Sequence, residues 1–241
     1  MTGASGFVVG ATGLTGRHVV TRLVARGHGA IAHVRPDSPS LETWRTRYAE
    51  LGASVDATPW DEAAMRTTLI ARKPTWVFGC LGTTRARARE AARAGRDASK
   101  ESYDAVDVAL TEMTIRAAKD AGVQRFVYLS SIGAGDGAQN AYLAARTKVE
   151  KTLRESGLPY TIVRPSFIVG DRDAPRAGEN VFGAIADAGL GLVGALGGAK
   201  VRDRYRSITG EQLAQAMVAI AEDPSWRDRV ADGVDLQRLV R

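Results

Sequence analysis

Residues 7–16 read Phe7-Val8-Val9-Gly10-Ala11-Thr12-Gly13-Leu14-Thr15-Gly16. Three apolar residues of strand character run straight into a glycine triplet. The stretch after the triplet carries Val19, Val20, Leu23 and Val24 at helical spacing, and Gly27 and Gly29 stop it. Strand, glycine turn and helix thus follow one another within the first 30 residues. Such a unit cannot bury its own apolar faces and needs a second parallel strand beside it.

The rest of the chain repeats the unit. Ala30 to Val34 reads as a second strand, Leu41 to Leu51 as a helix, and Ala53 to Ala57 as a third strand. A helix around Glu62 to Ala71 precedes Pro74, and Trp76 to Leu81 reads as a fourth strand. Ser102 to Ala121 is a long amphipathic helix closed by Gly122, and Arg125 to Leu129 is a strand. Tyr142 to Glu155 is a helix, Tyr160 to Val163 a strand, and Gly210 to Glu222 a late helix. Alternation of this kind predicts an α/β fold, a doubly wound parallel sheet of Rossmann type covered on both faces. No fixed-period repeat interrupts it, so residues 1–241 read as one domain. Residues 166–209 read as a small substrate-covering region, the part from Asp171 to Gly198 rich in Gly and Ala.

Composition narrows the functional classes. The chain has 241 residues, 44% of them apolar, with a net charge of +6, which excludes a disordered chain. One Cys rules out an internal disulfide, and three His (18, 28 and 33) argue against a metal centre. Of 33 basic residues 27 are Arg, but they are spread along the chain. The densest cluster, Arg85, Arg87, Arg89, Arg93 and Arg96, reads as a solvated loop, so no nucleic-acid partner is expected. No signal-peptide core is visible. The apolar stretch Val181 to Ala199 is interrupted by Asp187 and weakened by six Gly, so no membrane span is expected. The expectation from these absences is a cytoplasmic protein. Helices of such folds often pair across a two-fold axis, and a homo-oligomer is compatible with the sequence.

The glycine triplet has the context of a dinucleotide fingerprint. Gly10 would make the tight turn, Gly13 would let a pyrophosphate approach the backbone, and Gly16 would let helix and sheet pack closely. With Thr12, Leu14 and Thr15 these residues form the expected phosphate loop, its anion held at the helix N-terminus. The second strand ends at His33-Val34-Arg35. Where an NAD site offers a carboxylate for the ribose hydroxyls, this chain has Arg35, 19 residues after Gly16. An Arg pairs with a 2′-phosphate, so NADP (as NADPH) is the expected cofactor. Arg17 would add a second charge. One charge-assisted hydrogen bond of this kind contributes about 1.5–3 kcal/mol.

These residues resemble the short-chain dehydrogenase/reductase superfamily, specifically its atypical members with a Gly-x-x-Gly-x-x-Gly loop. Val127-Tyr128-Leu129-Ser130-Ser131 resembles the family's fifth strand. Gly157 to Pro165 resembles the sixth-strand motif of the atypical members. Gly79-Cys80-Leu81-Gly82-Thr83-Thr84-Arg85 resembles the fourth-strand motif of the Tat-interacting-protein-like oxidoreductases. The resemblance covers most of residues 6–170 and is loose beyond. It implies a Rossmann fold, a nicotinamide cofactor and a Ser-Tyr-Lys catalytic set. Ser131 fits the Ser position, with Ser130 adjacent, and Tyr142 fits the Tyr position. Arg146 stands where the family has Lys. Lys148 lies on a different helix face. Arg146 would keep a charge beside Tyr142 without placing a ribose contact as Lys does; the alternative is a surface pair with Glu150 at i+4. Cys80, Leu81 and Gly82 at the fourth strand's end, Ser130 at the fifth's, and Arg164 and Pro165 at the sixth's, are the further expected cofactor contacts. Cys80 itself reads as a buried small residue. Asp107 reads as a helix-face charge or a support for that sheet edge.

The leading expectation is an enzyme, an NADP-dependent oxidoreductase moving a hydride between the nicotinamide and a small carbonyl or alcohol. The departure at Arg146 keeps two alternatives open: a non-catalytic NADP-binding sensor, as in the nitrogen-metabolite-repression regulators, and an epimerase or dehydratase using the cofactor transiently.

Overall fold

The computed structural model describes residues 3–82, 93, 95, 102–138, 140–170 and 205–241. Seven strands form one sheet, and every pairing in it is parallel. In chain order they are β1 (Ser5–Val9), β2 (Gly29–His33), β3 (Ser54–Asp56), β4 (Trp76–Gly79), β5 (Arg125–Leu129), β6 (Tyr160–Val163) and, last, β9 (Arg229–Ala231). Their spatial order is β3-β2-β1-β4-β5-β6-β9. A separate two-stranded ribbon pairs β7 (Ile168–Val169) with β8 (Ile208–Thr209).

The helices are α1 (Leu14–Ala25), α2 (Leu41–Leu51), α3 (Glu62–Arg72), α4 (Leu110–Asp120), α5 (Ala141–Glu155), α6 (Gly210–Glu222) and α7 (Gly233–Leu239). They cover both faces because the strands are apolar on both. Val8, Ala32, Phe78, Val127 and Val163 face Val19, Leu23, Leu213 and Met217 of α1 and α6. Phe7, Val9, Val77, Phe126 and Ile162 face Met65, Leu69, Ile115, Val149 and Leu153 of α3, α4 and α5. Each fully buried side chain of this size contributes about 1.5–3 kcal/mol.

The register sets the site. Val9 lies opposite Gly79, Gly79 opposite Tyr128, Leu129 opposite Val163, and Val163 opposite Ala231. The strands therefore end in line, and the segments after them converge on one edge. Strand order reverses between β1 and β4, which opens a crevice outside their carboxyl ends.

Several boundaries differ from the sequence reading. β4 stops at Gly79, because Cys80 leaves the strand after one hydrogen bond to the Val9 carbonyl (3.0 Å). The expected helix over 102–121 is two pieces, a π-helical turn Tyr103–Ala109 followed by α4. The short elements β7, β8, β9 and α7 were not read. Three residues, Arg229–Ala231, make β9 a strand only because β6 offers it an edge. The Arg-rich loop and residues 171–204 of the expected covering region lie outside the described residues, apart from Arg93. Among the described residues no helix is long and apolar enough to cross a membrane.

The Gly10–Gly16 loop is tied down by a residue the sequence did not flag. The buried Tyr48 hydroxyl on α2 donates to the Ala11 carbonyl at 2.7 Å. Tyr48→Phe removes the donor and leaves a buried acceptor behind. The expected loss is about 1–3 kcal/mol, read by urea unfolding.

Candidate active site

Gly10 sits at φ +76°, and a Cβ there would overlap the Cys80 carbonyl on the neighbouring strand end. A Cβ on Gly16 would overlap the Gly10 carbonyl. Both glycines are therefore required by backbone packing. Gly13 differs: it is exposed, and its Cβ would meet only the Gly10 carbonyl, at 3.2 Å. Bare backbone faces outward there, as close approach by a pyrophosphate requires.

Gly13 is the N-cap of α1 and offers no side-chain hydrogen bond. By contrast, Asp61, Asn140, Thr209 and Asp232 cap their helices. The first turn of α1 also has no acidic residue, and Arg17 follows it. An electropositive helix end without a cap, followed by an Arg, is a poor structural choice and a good anion site. Leu14 and Thr12 are half-buried beside it and Thr15 is buried. A Cβ on Gly210, at the start of α6, would lie 3.1 Å from the Leu14 carbonyl, so α6 begins close against this end of α1. Arg35 lies just beyond β2, exposed; among the described residues its side chain has a 3.7 Å contact to exposed Asp37.

On the other side of the crevice, α5 lays Ala145, Arg146, Val149, Glu150 and Leu153 against the sheet. Two charged residues thus sit in the apolar stripe. Arg146 is buried and bridges three elements. It donates to the Leu81 carbonyl (3.1 Å), the Leu129 carbonyl (2.8 Å) and the Tyr128 hydroxyl (3.2 Å), and pairs with the fully buried Asp107 at 2.8 Å. Burial would lower its pKa, but Tyr128, Tyr142 and Asp107 outweigh that, and it stays charged. Burial pushes the Tyr128 hydroxyl up to about 12 and the Cys80 thiol up to about 12, so both are neutral. Gly82 has its place because a Cβ would sit 2.9 Å from the Arg146 guanidinium.

The Arg146–Glu150 pair offered as an alternative does not form. Arg146 reaches forward to Asp107, and Glu150 belongs to a second cluster. Glu150 accepts from the Ser130 hydroxyl at 2.6 Å and from Arg164 twice, at 2.8 and 2.5 Å, with Arg154 at 3.1 Å. Burial alone would raise its carboxyl, but the hydrogen bonds from Arg164 and Ser130, with the charges of Arg164 and Arg154, hold it below its ordinary range. Ser130 and Arg164, expected at the cofactor, therefore clamp α5 to β5 and β6. Pro165 is buried, its carbonyl accepting from Ile132 at 2.8 Å.

Ser131 and Tyr142 are half-buried. Among the described residues the Ser131 hydroxyl makes a local bond to the Ile132 carbonyl at 3.2 Å. The Tyr142 ring lies 5.2 Å from the Arg146 guanidinium carbon and 5.6 Å from the Tyr103 ring. Sequence reading missed Glu150 as a site-building residue. The signal was available: a carboxylate one turn from Arg146 on the apolar face of a helix must have buried partners.

Residues 10–224 match the family described as NAD(P)H-binding. The chain belongs to the NAD(P)H-binding family. "Protein FMP52, mitochondrial" of Chaetomium globosum is 30% identical over 91% of this chain and 87% of its own length. The protein of the same name from Coccidioides immitis is 28% identical over 97% and 95%. Among solved structures, UDP-glucose 4-epimerase from Bifidobacterium longum in complex with NAD+ and UDP superposes with a TM-score of 0.66 at 19% identity. That match covers 95% of this chain and 77% of that one. Membership makes the protein an NAD(P)-binding one, and the superposition shows the shared fold.

The relatives' names correct one expectation. The cytoplasmic location is contradicted by relatives named mitochondrial. The sequence reading looked for an apolar signal core, whereas mitochondrial addresses are amphipathic, Arg-rich and acid-poor, and escape that search.

The Glu150 cluster gives a pH dependence with a definite sign. A carboxyl held below its ordinary 4.5 in the fold stabilises fully above that value. The contribution is lost as pH falls through the lowered value. Glu150→Gln should cost about 1.5–3 kcal/mol at pH 7, and the gap to the parent should close as urea unfolding is repeated toward acid pH.

Proposed function

We propose that the protein is an NADP-dependent oxidoreductase acting on a small carbonyl or alcohol. The observation that carries this reading is the half-buried Tyr142, whose ring lies against the permanently charged Arg146 at the carboxyl edge of the sheet. A bound nicotinamide would supply the hydride donor or acceptor. The Gly10–Gly16 backbone and the uncapped end of α1 would hold its pyrophosphate, and Arg35 would pair with a 2′-phosphate. Cys80, Leu81 and Gly82 form the strand end beside it. Tyr142 would give a proton to the carbonyl oxygen, or take one from the alcohol. Ser131, whose hydroxyl bonds locally to the Ile132 carbonyl, would donate to the same oxygen. General acid–base help of this kind contributes about 10²–10⁴-fold. Arg146 acts on this chemistry through Tyr142 and the strand ends, as a positioning residue.

A second reading has its own observation. Arg146 is committed to Asp107 and two strand-end carbonyls, and so does not reach outward as a ribose-holding cation would. That favours a protein that binds NADP without turning it over.

Two substitutions separate these readings. Tyr142→Phe should abolish NADPH oxidation by a carbonyl panel while NADPH still binds in a fluorescence titration; full activity in the variant would end the catalytic assignment. Arg35→Asp should weaken NADPH at least tenfold and leave NADH unchanged. An unaltered NADPH affinity would refute the 2′-phosphate contact.

A further inference from the structure

We propose that the site around Tyr142 takes an uncharged carbonyl compound bearing an aromatic ring, and that Tyr103 is the residue that selects it. The inference rests on the oxidoreductase reading above and adds a substrate class to it. Tyr103 opens the π-helical turn Tyr103–Ala109, and turns of this kind concentrate at functional sites. Its ring lies 5.6 Å from the Tyr142 ring at an interplanar angle of 60°. Both side chains are half-buried, and Tyr103 packs on the core that includes Phe126 and Val149. Two rings tilted in this way do not cover each other's faces. A third ring can meet them edge-on or offset, at the centroid distances of about 4.5–7 Å that aromatic pairs prefer.

The charges at this end of the sheet are already matched. Arg146 pairs with the buried Asp107 at 2.8 Å and donates to the Leu81 and Leu129 carbonyls. Arg164 gives two hydrogen bonds to the buried Glu150. Burial keeps Tyr128 and Cys80 neutral. An anionic substituent beside the reacting carbonyl would have to draw Arg146 or Arg164 from its partner. That would leave Asp107 or Glu150 buried and uncompensated, which is strongly unfavourable. An aromatic substituent disturbs neither pair and gains the Tyr103 and Tyr142 rings.

The test uses the full chain and a binding readout that needs no turnover. The probes are para-methylbenzaldehyde and para-carboxybenzaldehyde, which share a shape and differ in charge. Each is titrated into the protein in excess oxidised NADP, where no reduction can occur, and saturation transfer to its ring protons is followed by NMR. The neutral aldehyde should bind about tenfold or more tighter than the charged one. Tyr103→Leu, which keeps the apolar bulk and removes the ring, should weaken the neutral aldehyde about three- to tenfold. Tyr103→Phe, which keeps the ring, should restore most of that loss. Equal binding of the two aldehydes overturns the substrate class, and so does a parent protein that gives no transfer to para-methylbenzaldehyde. These two results are read on the parent and stand even if Tyr103→Leu does not fold. A folded Tyr103→Leu that binds the neutral aldehyde as the parent does overturns the role of Tyr103. If binding follows the stated order while NADPH reduces neither aldehyde, the preference stands and the oxidoreductase reading fails.

Discussion

The approach of Gly10 to the Cys80 carbonyl is the constraint on which the site depends. It sits where strand order reverses, between β1 and β4. The close contact is open only to a residue with no side chain, and the φ of +76° points to the same residue type. With Gly16 in turn packed against the Gly10 carbonyl, the turn is compressed enough for α1 to begin directly over the sheet edge. The uncapped helix end then faces the crevice, as the proposed anion site requires. Tyr48 holds this arrangement by a hydrogen bond to Ala11, and the bare Gly210 lets α6 begin close against Leu14.

The opposite wall depends on α5. A helix packed on a parallel sheet ordinarily offers an apolar stripe. Here Arg146 and Glu150, one turn apart, replace two positions of that stripe. Each gathers the carboxyl ends of different strands: Arg146 those of β4 and β5, Glu150 those of β5 and β6 through Ser130 and Arg164. Burying two charges is costly, and multiple hydrogen bonds offset the cost. The result is a wall whose geometry is directional. Apolar packing alone would hold the helix near the sheet, but it would not fix where Tyr142 points relative to a charge.

Much of the fold was legible because its signals are local. The turn from β1 into α1 was read from three glycines in ten residues between a strand and a helix pattern. The strands 29–33, 125–129 and 160–163 were found within one residue at either end, and 5–9 from its last three residues, since continuous apolar runs bounded by Gly or Pro mark buried parallel strands. β9 and the β7–β8 ribbon escaped, because elements of two or three residues have no periodicity of their own. The π-helical turn escaped for another reason. Tyr103 to Ala109 has an ordinary helical pattern, and nothing in it marks the wide turn that carries the buried Asp107 to Arg146.

The site divides along the same line. Residue types and order were set by the sequence itself: an Arg rather than a carboxylate at 35, an Arg rather than a Lys at 146, a Tyr four residues before it. Those facts alone state which charges the protein has. Only the tertiary structure decided which charges meet. Glu150 was one turn from Arg146 and seemed its natural partner by spacing, yet Arg164 and Ser130 took it and Asp107 took Arg146. Pairing inside a protein follows distance and desolvation in three dimensions. A buried ion takes the partner that the packing of sheet and helix brings within about 3 Å, and spacing along one helix constrains that choice only weakly.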